Sequence, residues 1–230
     1  MASAGNPQDI IFNDPKTPIL ADILRERQGA APMRLLVVGC GSGVEAAVLA
    51  QRLGTVVTGI DIVPNFDNRA GLLADLREGD AMQMEFNDES FDFVYSFHAL
   101  EHITDYRTAL REMHRVLKPK GGYLIGTPNR SRLLGYLGST NTPLADKVRW
   151  NMADWKARLG GEFHNELGAH AGYTRDELQA ELDRVFTLTE SITSEYYLRL
   201  YGTRRLLVSS LCHTGLSRWL FPAIYFYGIR

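Results

Sequence analysis

Two histidines and a glutamate fall within five positions, His98, Glu101 and His102, directly after the apolar run Phe93, Val94, Tyr95. Neutral imidazoles accept protons near neutral pH, so a pair of them beyond a buried strand suits the deprotonation of a hydroxyl. Upstream, Leu35, Leu36, Val37 and Val38 run into three alternating glycines, Gly39, Gly41 and Gly43, and Asp61 closes the next apolar run. Such glycines let backbone approach a ligand closely. An acid at the end of the following strand can accept hydrogen bonds from a ribose diol.

These side chains need a scaffold that brings strand ends together. Residues 35–38 read as a buried strand, 44–53 as a helix and 55–60 as a second strand, the opening βαβ unit of a nucleotide-binding α/β domain. Ahead of it, residues 18–27 form a short amphipathic helix expected across the cofactor site or the sheet edge. Residues 64–73 are expected to be helical, 76–80 a short strand and 91–96 a central strand. The apolar set Tyr106, Ala109, Leu110, Met113 and Leu117 predicts a half-buried helix over 104–118, stopped by Pro119, Gly121 and Gly122 before a fifth strand at 123–127. Between 128 and 172 the periodicity degrades around Pro128, Pro143, Trp150, Trp155, His164 and His170. An excursion of this size beyond a strand's carboxyl end is where a substrate lid belongs; the alternative is a surface excursion packed by its tryptophans.

Order resumes at Thr174, whose spacing to Glu177 is that of a capping box, with a helix through Leu178, Leu182 and Val185. A strand at 186–193, helix within 201–220 and a last strand at 223–227 closed by Gly228 complete the reading. The apolar stretch from Trp219 to Tyr227 is assigned to that strand rather than to an interfacial anchor, given Pro222 and its aromatic content.

Composition narrows the class. A length of 230 residues is ample for one α/β domain with a real core, and a net charge of −2 with interspersed signs gives nothing that marks a nucleic-acid groove. The two cysteines, Cys40 and Cys212, are expected as free thiols in a reducing compartment, since a disulfide at Cys40 would deform the glycine turn. Residues 1–14 lack an apolar signal core, and no apolar run approaches the ~20 residues of a membrane span. A cytoplasmic location is therefore expected. Oligomeric state is not legible.

The glycine spacing separates two cofactor classes. A dinucleotide fingerprint starting at Gly39 would want glycine or alanine where Val44 stands, and no Tyr-x-x-x-Lys pair supports a reductase. The alternating glycines, Asp61, the segment Gly79-Asp80-Ala81-Met82, the run from Ser90 to His98 and the turn Leu117-Lys118-Pro119-Lys120-Gly121-Gly122 together resemble the class I S-adenosylmethionine-dependent methyltransferases. The resemblance is strong from about residue 34 to 127 and weaker beyond.

It implies a Rossmann-like, doubly wound α/β fold: a seven-stranded, mostly parallel sheet with an antiparallel last strand and a lid insertion after strand five. It implies a single domain over 1–230, with a leader and helix at 1–33 and the lid at 128–172. It implies S-adenosyl-L-methionine as cofactor. The backbone of the turn Gly39, Cys40, Gly41 and Gly43 would face the methionine part, Asp61 the ribose hydroxyls and Ile62 the adenine face. Asp80 would accept from the adenine amino group, with backbone from Ala81 and Met82 beside the ring.

One departure stands out: the family's acid two residues before the first glycine is Val37 here. The cofactor's ammonium is left to carbonyls near Gly39 and Phe97 or to water. Ser42 and Glu45 have capping-box spacing, which assigns Glu45 to the helix cap.

The segment from His98 to His102 is similar to that of ubiquinone-pathway O-methyltransferases, in which two carboxylates and a histidine hold a divalent cation. His98 replaces the first carboxylate, so no metal is expected. His98 and His102 are read as proton acceptors or substrate-positioning groups, the alternative being buried structural histidines. His170, before the late helix as in the family, pairs with His98 around an acceptor hydroxyl; Thr127 and Asn129 face the same cleft. The resemblance thus implies methyl transfer to a small-molecule acceptor, foremost a hydroxyl oxygen of a natural-product, quinone-like or sugar compound. Nitrogen or carbon acceptors, or a cofactor-binding protein without turnover, are the alternatives.

Overall fold

The computed structural model describes residues 10–29, 33–136, 142–165 and 170–230. Helix α1 (Thr17–Gln28) starts where the Asp14 carboxylate accepts the Lys16 and Thr17 N–H groups. It lies flat on one sheet face, with Leu20, Ile23 and Leu24 fully buried, rather than across the site or along an edge as expected. Its apolar stripe is wide enough to demand a whole sheet face.

Strand β1 (Arg34–Val38), α2 (Val44–Leu53) and β2 (Val56–Asp61) form the expected βαβ unit, α2 with the bounds read from sequence. Strands β3 (Asp75–Glu78), β4 (Phe91–Phe97) and β5 (Leu117–Pro128) follow, with α3 (Tyr106–Val116) between the last two. Helix α4 (Leu144–Leu159) lies in the excursion after β5, and α5 (Arg175–Val185) carries the expected capping box with both of its bonds formed. Strand β6 (Leu188–Ser191), α6 (Thr193–Leu200), α7 (Arg205–His213), α8 (Ser217–Leu220) and β7 (Ala223–Ile229) complete the chain. The strands make one seven-stranded sheet in the order β3-β2-β1-β4-β5-β7-β6. The pairs from β3 through β5 are parallel, and β7 is antiparallel to both of its neighbours. Free cysteines at 40 and 212 match expectation. Among the described residues no helix is long and apolar enough to cross a membrane.

Four further expectations need correction. Residues 64–73 hold only a 3-10 turn, Ala70–Leu72, because the Asp67 carboxylate takes the Arg69 and Ala70 N–H groups and Gly71 weakens any longer helix. The strand foreseen at 186–193 stops at Ser191. The Thr193 hydroxyl there bonds both the N–H and the carbonyl of Tyr225 and α6 begins. Helix within 201–220 is divided at Gly215, whose φ of 74° is left-handed. Finally, β7 runs past Gly228. A Cβ at Gly228 would meet the Leu188 carbonyl at 2.0 Å and the Tyr123 ring at 2.4 Å, so this glycine permits close packing rather than ending the strand.

Both sheet faces are covered. Phe93, Tyr95 and Tyr225 join α1, α2 and α6 on one side; Phe91, Val94, Tyr123 and Phe226 join α3 and α5 on the other. A bulge between Phe91 and Phe93 sends these two rings to opposite faces, although alternate residues of a regular strand share one. Phe226, wholly buried on β7, is central to the second layer. Phe226→Ala should cost about 3–5 kcal/mol, measurable as a lowered denaturant midpoint.

Candidate functional site

The site lies at the carboxyl ends of β1, β2 and β4, where an open α/β sheet presents its cleft. After β1 the chain turns through Gly39, Gly41 and Gly43, all at positive φ (71°, 53° and 83°). The N–H groups of Gly39 and Cys40 both bond the Ile60 carbonyl at 2.9 Å, lashing the turn to β2. At Gly39 a Cβ would stand 2.2 Å from that of Ala99, so a side chain is excluded on steric grounds as well as by φ. At Gly41 a Cβ would meet open space: here the bare backbone borders a cavity.

Asp61 at the end of β2 braces this turn. One carboxylate oxygen accepts the Gly41 N–H at 2.7 Å and the other the Val63 N–H at 3.0 Å. Each oxygen keeps a second lone pair for a ligand hydroxyl. Asp80, past β3, accepts the Met82 N–H at 2.8 Å. Gly39, Gly41, Asp61, Ile62, Asp80, Ala81 and Met82 all line one cavity of about 420 Å³, with Ala99 and His102. Ile62 leaves 64 % of its surface exposed there, an apolar wall of the cavity.

Three other residues singled out for the cofactor by their backbone, Cys40, Gly43 and Phe97, are not among that cavity's lining. The Cys40 side chain points into the core, where burial and then the Asp61 charge push its thiol up to about 12, so it is no nucleophile. Phe97 stacks on Tyr225 with centroids 5.7 Å apart and supports His98 edge-on instead of facing that cavity. Gly43 shapes the turn and caps α2 from a left-handed conformation.

A second cavity, of about 290 Å³, adjoins the first. Tyr136, Tyr196, Tyr197, Tyr201 and Tyr225 make it largely aromatic; Lys16, Arg132 and His170 add polar edges. His98 lines both cavities. Its backbone is left-handed, at φ 53°, an uncommon conformation for a residue with a Cβ that turns the ring out of the strand line. Its N–H still bonds the Gly126 carbonyl at 2.9 Å.

The His98 Nδ1 lies 3.2 Å from an oxygen of Glu101, whose side chain is only 1 % exposed. The other Glu101 oxygen accepts the Thr127 hydroxyl at 3.2 Å. Burial would raise the Glu101 carboxyl, but the hydrogen bond and charge of His98, its own N–H and the His102 charge outweigh it and hold the group below its ordinary value. An ionised carboxylate only accepts, so Nδ1 carries the hydrogen and Nε2 is left as the ring's acceptor when neutral.

The structure thus brings His98, His102 and His170 together. His102 lines the first cavity and meets His170, at the edge of the second, ring to ring at 4.7 Å. Glu101 and His102 turn away from each other, one to His98 and the other to His170. Among the described residues no three His, Cys, Asp or Glu side chains gather as metal ligands. Thr127 faces Glu101 rather than the cavity, and Asn129 is buried, donating to the carbonyls of Arg218 and Phe221 at 2.8 Å. His164 is exposed.

Sequence reading passed over Glu101 as an orienting group and Arg132 as a brace. Arg132, 4 % exposed, pairs with Asp154 at 3.1 Å and donates to the His170 carbonyl at 2.9 Å, fixing the segment that bears His170. The spacing of His98 and Glu101, three residues apart, is a local signal that could have found the first pairing, whereas the partners of Arg132 lie 22 and 38 residues away.

A family model described as a methyltransferase domain matches residues 36–125. The ubiquinone biosynthesis O-methyltransferase of Pseudomonas aeruginosa is 34 % identical over 122 residues, 50 % of this chain and 52 % of the relative. The demethylmenaquinone methyltransferase of Staphylococcus aureus is 38 % identical over 97 residues, 39 % of this chain and 40 % of the relative. The chain therefore spans about half the length of the first of these curated relatives and less of the second. Among solved structures, phosphoethanolamine N-methyltransferase 2 of Haemonchus contortus in complex with S-adenosyl-L-methionine superposes with a TM-score of 0.58 at 17 % identity, over 92 % of this chain and 52 % of that one. At that identity the likeness speaks to the fold.

Proposed function

We propose that this chain, whose residues 36–125 match a methyltransferase-domain model, is a class I S-adenosylmethionine-dependent methyltransferase that moves a methyl group from that cofactor to the hydroxyl oxygen of a small molecule. The observation that carries the reading is His98. One ring borders both cavities, its Nδ1 is held by a buried carboxylate, and its Nε2 is the remaining acceptor.

The first cavity suits the cofactor. Asp61 has lone pairs for two ribose hydroxyls, the Asp80 carboxylate and the Ala81 N–H would serve an adenine edge as acceptor and donor, with Met82 beside the ring and its own N–H held by Asp80, and the exposed Ile62 offers the ring an apolar face. At Gly41 the open space beside the backbone leaves room for the methionine arm. When bound, S-adenosylmethionine supplies a methyl group on a sulfonium, whose departure leaves a neutral thioether. The protein's task is then alignment, exclusion of water and removal of one proton. The aromatic cavity holds the acceptor, His98 Nε2 takes its hydroxyl proton, and Glu101 stabilises the imidazolium that results. The segment carrying α4 and His170 serves as the lid. A ring-bearing acceptor, natural-product, quinone-like or sugar, fits the tyrosine walls. The names of the two curated relatives lend support to the quinone-like class.

Cofactor identity is tested by thermal denaturation. S-adenosylmethionine or S-adenosylhomocysteine at about 100 times its Kd should stabilise the protein by about 2.7 kcal/mol, and NAD should not. Stabilisation by NAD alone would overturn the reading.

A further inference from the structure

The aromatic cavity carries a charge that the transfer reaction itself does not need. Besides its tyrosines, the ionisable groups on its wall are Lys16, His98, Arg132 and His170, and among the described residues no aspartate or glutamate lines it. Whatever enters meets one sign of charge only, against rings that are apolar in the body and polar at the tip.

Of these cations Arg132 is spent. Its terminal nitrogens donate to the carbonyls of Asn129, Ala171 and His170 and to the Asp154 carboxylate. Lys16 is not. Among the described residues its ammonium forms no ion pair. Glu45 lies near enough to feel its charge but stands outside the cavity wall.

Local structure fixes where this lysine stands. The Asp14 carboxylate holds the N–H groups of Lys16 and Thr17 and the Thr17 hydroxyl, and α1 beyond them is anchored by Leu20, Ile23 and Leu24. Lys16 is therefore the last residue before a packed helix. Its ammonium lies 6.0 Å from the centroid of the Phe97 ring, and the same ring meets His98 with centroids 4.1 Å apart. Ammonium and imidazole thus flank one phenyl ring and both line the cavity, within the reach of a single substituted benzene.

A second polar group waits on the same wall. Tyr196 is 1 % exposed, and its hydroxyl has no hydrogen-bond partner among the described residues; the Tyr225 hydroxyl comes near it outside bonding geometry. A buried hydroxyl without an acceptor is costly, and an acidic oxygen supplies one. Volume sets the size of the guest. An apolar cavity of about 150 Å³ takes up benzene, so the 290 Å³ here suits one ring with its substituents.

We propose that the methyl acceptor is a monocyclic aromatic acid, its hydroxyl turned to His98 and its acidic group bound by the Lys16 ammonium and the Tyr196 hydroxyl. The proposal rests on the acceptor reading given above and narrows it. Lys16 becomes the residue that selects the acceptor: a neutral ring of the same shape leaves the ammonium without a counter-charge and the tyrosine hydroxyl unpaired.

Calorimetry on the intact protein saturated with S-adenosylhomocysteine tests this by comparing 3,4-dihydroxybenzoate with 3,4-dihydroxybenzamide. The two share ring, diol and shape and differ in charge. At about pH 7.5 the acid is ionised and the lysine protonated. The acid should bind roughly tenfold or more tightly than the amide, the usual value of a hydrogen bond to a charged group. Lys16→Gln should erase that preference and Lys16→Arg should keep it; Tyr196→Phe should weaken the acid severalfold. If the parent complex binds acid and amide alike, or binds neither, the proposal falls while the cofactor reading stands, and this comparison needs no variant. If Lys16→Gln loses S-adenosylhomocysteine affinity but keeps the preference, the lysine serves the cofactor and the proposal falls too. Failure of the parent to bind S-adenosylhomocysteine at all would bring down the methyltransferase reading, and the proposal with it.

Discussion

His98→Gln should lower the rate of methyl transfer by roughly 10²- to 10⁴-fold, the usual cost of losing a general base, with cofactor affinity nearly unchanged. Glutamine can still bond Glu101, so the local fold survives, but it cannot take a proton as an imidazole does. Glu101→Gln acts through the ring: a neutral amide neither fixes the Nδ1–H tautomer nor stabilises the imidazolium. Its rate should fall as well, again with little change in S-adenosylhomocysteine affinity. Steady-state turnover alongside calorimetry separates the two readouts. Loss of cofactor affinity together with melting temperature would assign His98 a structural role. Full activity of His98→Gln would move the base to His102 or His170, or leave alignment alone as the source of rate.

Asp61→Ala should remove cofactor binding more severely than the loss of ribose contacts alone. Two hydrogen bonds to a charged acceptor, each about 1.5–3 kcal/mol, already imply a loss of roughly a hundredfold or more. The same carboxylate holds the Gly41 and Val63 N–H groups, so the turn that should cradle the methionine arm loosens with it. Asp61→Asn keeps one acceptor oxygen and should fall between parent and alanine variant. Calorimetric affinity for S-adenosylhomocysteine checks the ranking, and an unchanged Kd in Asp61→Ala would refute the ribose role.

The parts of the fold legible in sequence were those with local punctuation. Glycines on either side of α2 fixed its ends, the spacing of Thr174 and Glu177 fixed the start of α5, and the apolar runs fixed β1, β2 and β4. The first cavity was legible for the same reason, since its lining comes from the turns just past β1, β2 and β3. The illegible parts join residues distant in sequence. The Thr127 bond to Glu101 exists because β4 and β5 are parallel neighbours, and the Arg132 bond to the His170 carbonyl crosses the whole excursion.

Glu45 failed for a different reason. Capping-box spacing is a local rule, and a left-handed Gly43 took the N-cap position, so no side-chain cap bond is made. Residues 64–73 failed because apolar content was read as a helix where an Asp side chain competed for the backbone.

Helix α4 buries none of its residues, although it belongs to the segment that walls off the aromatic cavity. Among the described residues it is fastened by polar contacts between Asp154 and both Arg132 and Tyr136, Asn151 and the Gly135 backbone, the Trp155 indole and the Leu133 carbonyl, and Arg158 and the Arg132 carbonyl. The stability of the molecule is therefore tiered. The sheet and its two packed layers open only with the whole domain, while the free energy separating the docked and undocked states of α4 is small by comparison. Amide hydrogens in α4 exchange through that cheap local opening, whereas those of β4 and β5 wait for global unfolding. If that segment is the lid proposed above, passage in and out of the aromatic cavity proceeds at the pace of local undocking, leaving Asp61, Asp80 and His98 on a frame that does not move with it.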